Sequence, residues 1–114
     1  MLRVLTLSTL YPDDGRPSFG PFVERQTLAL AARPGVGVEV IAPVGLPIWP
    51  LRLHPHYRAR SALPAKEQRR GLAVHRPRFR TWPGLEAAGA AGSLAAAVLP
   101  LARALPCDVL DAEF

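Results

Sequence analysis

Three consecutive segments leave little choice of fold: an apolar run RVLTLSTL (Arg3–Leu10), an amphipathic run PFVERQTLALAA (Pro21–Ala32) and a second apolar run VGVEVIAPV (Val36–Val44). In the first, Val4, Leu5, Leu7 and Leu10 have mainly short hydroxyl residues for neighbours, as in a strand covered on both faces. The second opens with Pro21 at a first-turn position and carries Glu24 near the positive end of the helix dipole. Arg33-Pro34-Gly35 stops it. The third alternates Val36, Val38 and Val40 on one face with Ile41 on the other. A β-α-β order predicts parallel strands joined by a crossover helix. The fold class expected is therefore α/β, a Rossmann-like parallel sheet in three layers.

The remaining chain extends that layout. Gly45 to Arg70 contains Pro47, Pro50, Pro55 and Pro64 with Trp49, His54, His56 and Tyr57, and has neither helical nor strand periodicity. It reads as an inserted loop, 45–70. LAVHRPRF (Leu72–Phe79) reads as a short strand that Pro77 ends or confines to an edge. The Ala-rich Leu85–Leu105 reads as a helix kinked or broken at Pro100, with Gly89 and Gly92 allowing close approach to the sheet. CDVLDAEF (Cys107–Phe114) reads as a strand. Strands are thus expected near residues 3–10, 37–43, 72–77 and 107–112, in a sheet of about four strands. A strand ending on Asp111, Glu113 and Phe114 normally leads into a loop and helix. The sequence is therefore expected to be residues 1–114 of a longer protein, a partial domain whose open sheet edge further sequence covers.

Charge narrows the partners. The 114 residues carry a net charge of +5, enough chain for one domain with its own core. Arg52 to Arg80 holds nine basic residues against Glu67 alone, and all basic residues of the chain except Lys66 are Arg. Such a segment attracts phosphates in nucleic acid, in anionic lipid or in a pyrophosphate-linked substrate. No apolar stretch reaches the ~20 residues of a membrane span, and the N-terminus lacks a signal-peptide shape. A cytoplasmic location is expected. The single cysteine, Cys107, allows no internal disulfide, is too isolated for a zinc site, and is expected to be buried beside a strand.

Motifs exclude more than they assign. No G-x-G-x-x-G or Walker loop follows a strand, which argues against a dinucleotide site or P-loop. Gly15, Gly20 and Pro21 offer a turn and free amides at a helix start, where an anion can dock. Asp111 and Glu113, two apart on a strand, share a face; without other ligands nearby they read as structural or substrate-contacting residues, and no metal site is expected. Asp13-Asp14 reads as a solvated turn and His54-Pro55-His56 as loop imidazoles. No nucleophile stands at a recognisable spacing from a base, so no residue receives a catalytic role.

RVLTLSTLYP, GPFVERQTLALA, VEVIAP, a long loop leading to VHRPRF, and finally CDVLDAEF occur in an order that resembles the opening of GT-B-fold glycosyltransferases, particularly the retaining family that uses nucleotide-sugars. The resemblance covers nearly the whole chain apart from Gly45–Arg70. It implies the N-terminal, acceptor-side half of a GT-B fold, with the donor-binding domain outside this sequence. It also implies a bacterial polysaccharide-type activity, in which a sugar passes from a nucleotide-sugar to a glycan or lipid-linked acceptor. This half holds no cofactor and is expected to be inactive alone. The turn after the first strand then faces the interdomain cleft, which makes Gly20, Pro21, Phe22, Asp111 and Glu113 the implied substrate contacts. Two departures stand out: Gly20 precedes Pro21 where relatives have adjacent glycines, so one amide donor is missing, and Asp111-Ala112-Glu113 lacks the histidine that relatives often carry. Trp49, Tyr57 and the arginines of 45–70 suit peripheral contact with the inner face of a membrane. The alternative is a small basic nucleic-acid-binding module. Few aromatics interleave with the basic residues and no recognition helix is legible, so nucleic acid is not the expected partner.

Overall fold

The computed structural model describes residues 1–9, 11–12, 20–47, 54–81 and 86–113. Seven strands and three helices follow one another among them: β1 (Leu2–Ser8), α1 (Pro21–Ala31), β2 (Val36–Ile41), β3 (Val44–Pro47), α2 (Pro55–Ser61), β4 (Lys66–Arg69), β5 (Leu72–His75), β6 (Arg78–Thr81), α3 (Glu86–Ala104) and β7 (Val109–Glu113). The main sheet has the order β4-β5-β2-β1-β7 and is parallel except for the β4–β5 hairpin. The result is α/β with a mostly parallel sheet, compatible with a Rossmann-like fold. The four expected strands are present with the expected parallel pairing, as β1, β2, β5 and β7.

Alternation along the strands sorts the two faces. On one face Val4, Val38, Val40, Ala42, Leu72 and Val74 pack with Tyr11 and with Val23 of α1. On the other, Leu5 and Ile41 pack against Val98 of α3, with Leu94, Leu101 and Leu105 alongside. Full burial of a Val, Leu or Ile side chain contributes about 1.5–3 kcal/mol, so these two cores fix the three layers. Arg3 and Asp108 tie the start of β7 to β1: the Arg3 amide donates to the Asp108 carboxylate at 2.9 Å and the Asp108 amide to the Arg3 carbonyl at 2.7 Å. That amide and the guanidinium hold the Asp108 carboxyl below the usual carboxylate range.

Several expectations need correction. The stretch 45–70 is not a structureless insertion, since it contains most of β3, all of α2 and β4, the last being a strand with no apolar residue. The sheet has five strands rather than four. Pro77 does end β5, but β5 lies between β4 and β2 and is no edge. α3 is not broken at Pro100 but continues through it to Ala104. The carbonyl that loses its donor there belongs to exposed Ala96, where water can replace the missing bond. Gly92 faces open space and not the sheet, and Cys107 is exposed.

Prolines also split two strands that read as continuous. Ile41 pairs with His75 and Val44 with Arg78, so the register is unbroken and Pro43 lies opposite Pro77. Neither can donate to a ladder. Beyond them β3 and β6 form a separate two-stranded parallel ribbon, carried past the carboxyl ends of β2 and β5. Gly45 fits beneath Phe79 there: a Cβ would come within 2.8 Å of Thr81 Cγ2 and 3.0 Å of Phe79 Cζ. Gly45→Ala is expected to lower stability by about 1–3 kcal/mol through overpacking. Urea unfolding of the variant beside the parent measures it.

Candidate functional site

Because β1, β2, β5 and β7 are parallel, their carboxyl ends, Ser8, Ile41, His75 and Glu113, lie along one edge of the sheet. Ligands of open α/β sheets bind outside that edge. α1 begins there. Its N-cap is Gly20, left-handed at φ 61° and ψ 39°, a conformation that costs a residue with a Cβ about 1 kcal/mol or more. Pro21 supplies no amide, and the Val23 amide turns back onto the Gly20 carbonyl at 3.1 Å. Phe22 is 54% exposed, a large apolar side chain left free beside the edge.

Asp111 and Glu113 stand next to β1, in register with Thr6 and Ser8, and therefore on the face that carries α1. Both are half-buried. The Thr6 hydroxyl on the same face is buried without a hydrogen-bond partner, and Ser8 is fully buried. The five residues singled out from sequence thus converge on one sheet edge in two groups. Among the described residues no hydrogen bond or ion pair joins Gly20-Pro21-Phe22 to Asp111 and Glu113. Asp13, Asp14, Gly15, Trp49 and Phe114 lie outside the described residues. Pro55 and His56 begin α2, and His54 accepts from the amides of Tyr57 and Arg58 through its carbonyl. No group of three metal-ligating side chains occurs among the described residues.

A buried polar network beside this edge had no counterpart in the sequence motifs. Arg76 is only 2% exposed and donates to the Glu67 carboxylate, at 2.7 Å from Nη2 and 3.1 Å from Nε. Its Nη2 also reaches the Pro12 carbonyl at 3.0 Å, which clamps the chain leaving β1 onto the β4–β5 hairpin. The turn of that hairpin, Arg70-Gly71, has both φ angles positive, as the type I′ two-residue hairpin turn requires. It brings Arg69 Nε to 2.8 Å and Arg70 Nε to 3.5 Å from the carboxylate of Glu24 on α1. Tyr11 is buried against this network with its hydroxyl unpartnered. Burial, reinforced by the charge of Glu24, pushes the phenol up to about 12. On the opposite face His75, buried, meets Glu39 at 2.7 Å. The signal for the hairpin was present in sequence as Arg70-Gly71 directly before the apolar LAVH.

The third feature is an open hollow of about 370 Å³ between the β3–β6 ribbon and α3, lined by Leu46, Arg78, Phe79, Arg80, Ser93 and Ala97 among others. The Arg80 amide donates to Ser93 Oγ at 2.7 Å, fastening α3 to the ribbon. Arg78 donates to the carbonyls of Arg76 and Leu63. Burial, and then the charge of Arg76, lower its pKa from the ordinary guanidinium value.

No protein-family model matches the chain, and no solved structure matches it. Over 117 aligned positions it is 33% identical to the "Putative teichuronic acid biosynthesis glycosyltransferase TuaC" of Bacillus subtilis (strain 168), a match that takes in 99% of this chain. The similarity is to a glycosyltransferase. The chain spans 30% of that relative's length. The glycosyltransferase likeness therefore extends through α1, both sides of the hollow and β7, and is not confined to one motif. It leaves a nucleic-acid-binding module unsupported, and the geometry agrees: Arg69 and Arg76 are ion-paired and Arg78 is spent on carbonyls, so the basic run is not one free patch. No described helix is long and apolar enough to cross a membrane.

Proposed function

We propose that this chain forms the acceptor-side half of a retaining, GT-B-type glycosyltransferase that moves a sugar from a nucleotide-sugar to a glycan or lipid-linked acceptor. One observation carries the reading: a likeness to a glycosyltransferase that runs the length of the chain, on a parallel sheet whose carboxyl edge is lined by the polar residues described above. In this reading Gly20 lets the backbone approach the substrates closely, and Asp111 and Glu113 receive acceptor hydroxyls from the neighbouring strand. The departing nucleotide diphosphate is stabilised chiefly by the donor-binding half, outside these 114 residues, and little covalent chemistry falls to this half. Exposed Val109, Leu110 and Leu99 give the β7 edge an apolar surface on which further sequence can pack. The protein works in the cytoplasm, at the inner membrane face. Exposed Arg58 and Arg80 remain available to anionic lipid, whereas Arg69 is held by Glu24.

The test compares this chain alone with the same chain joined to a nucleotide-sugar-binding half, each given a panel of radiolabelled nucleotide-sugars and extracted acceptors. The chain alone is expected to transfer nothing above background hydrolysis, and the joined protein to label an acceptor with retention at the anomeric carbon. Turnover by the chain alone would refute the division of labour. Silence of the joined protein with every donor, together with salt-dependent RNA or DNA binding, would transfer support to the nucleic-acid reading.

A further inference from the structure

We infer that the β4–β5 hairpin is a positioning clamp for the substrate edge: Arg76 with Glu67, and Arg69 with Glu24, hold the two ends of the connection between β1 and α1 and so set where Gly20 stands. At the first end, Arg76 Nη2 donates to the Pro12 carbonyl at 3.0 Å and to the Glu67 carboxylate at 2.7 Å. At the second, Arg69 Nε donates at 2.8 Å to Glu24, which lies in the first turn of α1. The Val23 amide beside Glu24 donates to the carbonyl of the Gly20 cap at 3.1 Å. Glu24 and Arg76 are both buried. Tyr11, directly before Pro12, joins the two pairs: it is buried, and the charges of Glu24, Arg69 and Arg76 all act on its phenol. One hairpin therefore fastens both ends of one connection.

The make-up of β4 points the same way. Glu67 and Arg69 stand in register with Val74 and Leu72, members of the apolar cluster under α1, and so share that face although β4 has no apolar residue. Stability alone does not call for charges there, because apolar pairs often replace buried ion pairs without loss. Charge-assisted hydrogen bonds are directional where apolar packing is not, and they fix the placement of a carbonyl or of a helix start. What the positioned edge binds rests on the proposed transferase function. The hold on Gly20 does not, and it is measured without substrate.

The double variant Glu24→Met with Arg69→Met keeps much of the volume of both side chains and removes the directional contact. Arg70, the other cation at Glu24, has a side chain 65% exposed and stays solvated. In the full chain the thermal midpoint of the double variant is expected to stay close to the parent's. Its Val23 amide should exchange with solvent at least about tenfold faster, the weight of one hydrogen bond to a charged group, while the Val40 and Val74 amides of the central strands hold their rates. Arg69→Lys, which keeps the charge and a donor, should restore slow exchange, and Arg103→Gln, exposed on α3, should leave it unchanged. In the chain joined to a nucleotide-sugar-binding half, the double variant should lower kcat/KM at least about tenfold, and Arg69→Lys should recover most of it. Unchanged exchange at Val23 would overturn the clamp. So would a fall in midpoint with faster exchange across the whole sheet, since the pair would then serve stability and not placement. Faster exchange at Val23 beside an unchanged kcat/KM would overturn its part in the substrate edge. A joined parent that transfers nothing would defeat the transferase reading by itself, and exchange at Val23 would still decide whether the hairpin holds Gly20.

Discussion

Arg76→Met is expected to lower the unfolding free energy by about 3–5 kcal/mol, the usual penalty when one partner of a buried ion pair is removed. The side chain is 2% exposed, and Glu67, its carboxylate partner, 17%. Methionine fills much of the volume but leaves that carboxylate and the Pro12 carbonyl without their donor. For a domain whose whole stability is on the order of 5–15 kcal/mol, such a loss is severe. Urea unfolding measures it, and the double variant Arg76→Met with Glu67→Met separates the causes. If the penalty comes from the orphaned carboxylate, the second change should restore a large part of the loss, because apolar pairs often replace buried ion pairs without cost. If the clamp on Pro12 matters most, the double variant should stay as unstable as the single one. A single variant within about 0.5 kcal/mol of the parent, the usual range for surface changes, would show that the network is not closed in solution.

The second large effect is a loss of stability at alkaline pH caused by Tyr11. Its phenol is raised from 10.0 to about 12 in the folded protein, by burial first and the charge of Glu24 second. The sign follows from proton binding. Below pH 10 Tyr11 is protonated whether folded or unfolded, and the stability is whole. Above pH 10 the unfolded chain loses the phenolic proton while the folded chain keeps it, so stability falls as pH rises, by up to about 1.4 kcal/mol per pH unit. The fall levels off near pH 12, where the folded phenol ionises too, after a total of roughly 3 kcal/mol. Unfolding midpoints between pH 9 and pH 12 should show this slope in the parent and lose it in Tyr11→Phe. The same substitution removes a hydroxyl that has no partner, so at neutral pH it should cost little. An ultraviolet titration in which every tyrosine ionises near pH 10 would contradict the assignment.

How much of this was legible beforehand can be judged element by element. β1, α1, β2, β5, α3 and β7 could be read because each carries a periodic apolar pattern, and that pattern is a local record of which face is buried. Their parallel pairing followed from the β-α-β order. The position of Gly20 at the start of α1 was also readable, because Pro21 marks a first helical turn and only a residue without a Cβ adopts the left-handed cap at no cost. Glycosyltransferase likeness was visible in the order of these segments, although a substrate role for Gly20, Pro21, Phe22, Asp111 and Glu113 is still a proposal.

The sequence by itself therefore determined the layers, the parallel strands and the edge at which a ligand would lie, since all three depend on apolar spacing within short windows. Only the tertiary structure decided the rest. KEQR is a strand because LAVH lies antiparallel to it, and its polar side chains suit an edge position. Pro43 and Pro77 divide two strands into sheet and ribbon because the register sets them opposite one another, a relation between residues 34 positions apart. Arg76 finds the Pro12 carbonyl across 64 positions and Arg69 finds Glu24 across 45. No local pattern records such meetings. A guanidinium in a basic run looks the same whether it will be solvated, paired in the interior or spent on backbone carbonyls, and the free energy that distinguishes those fates arises only when the chain has brought the partners together.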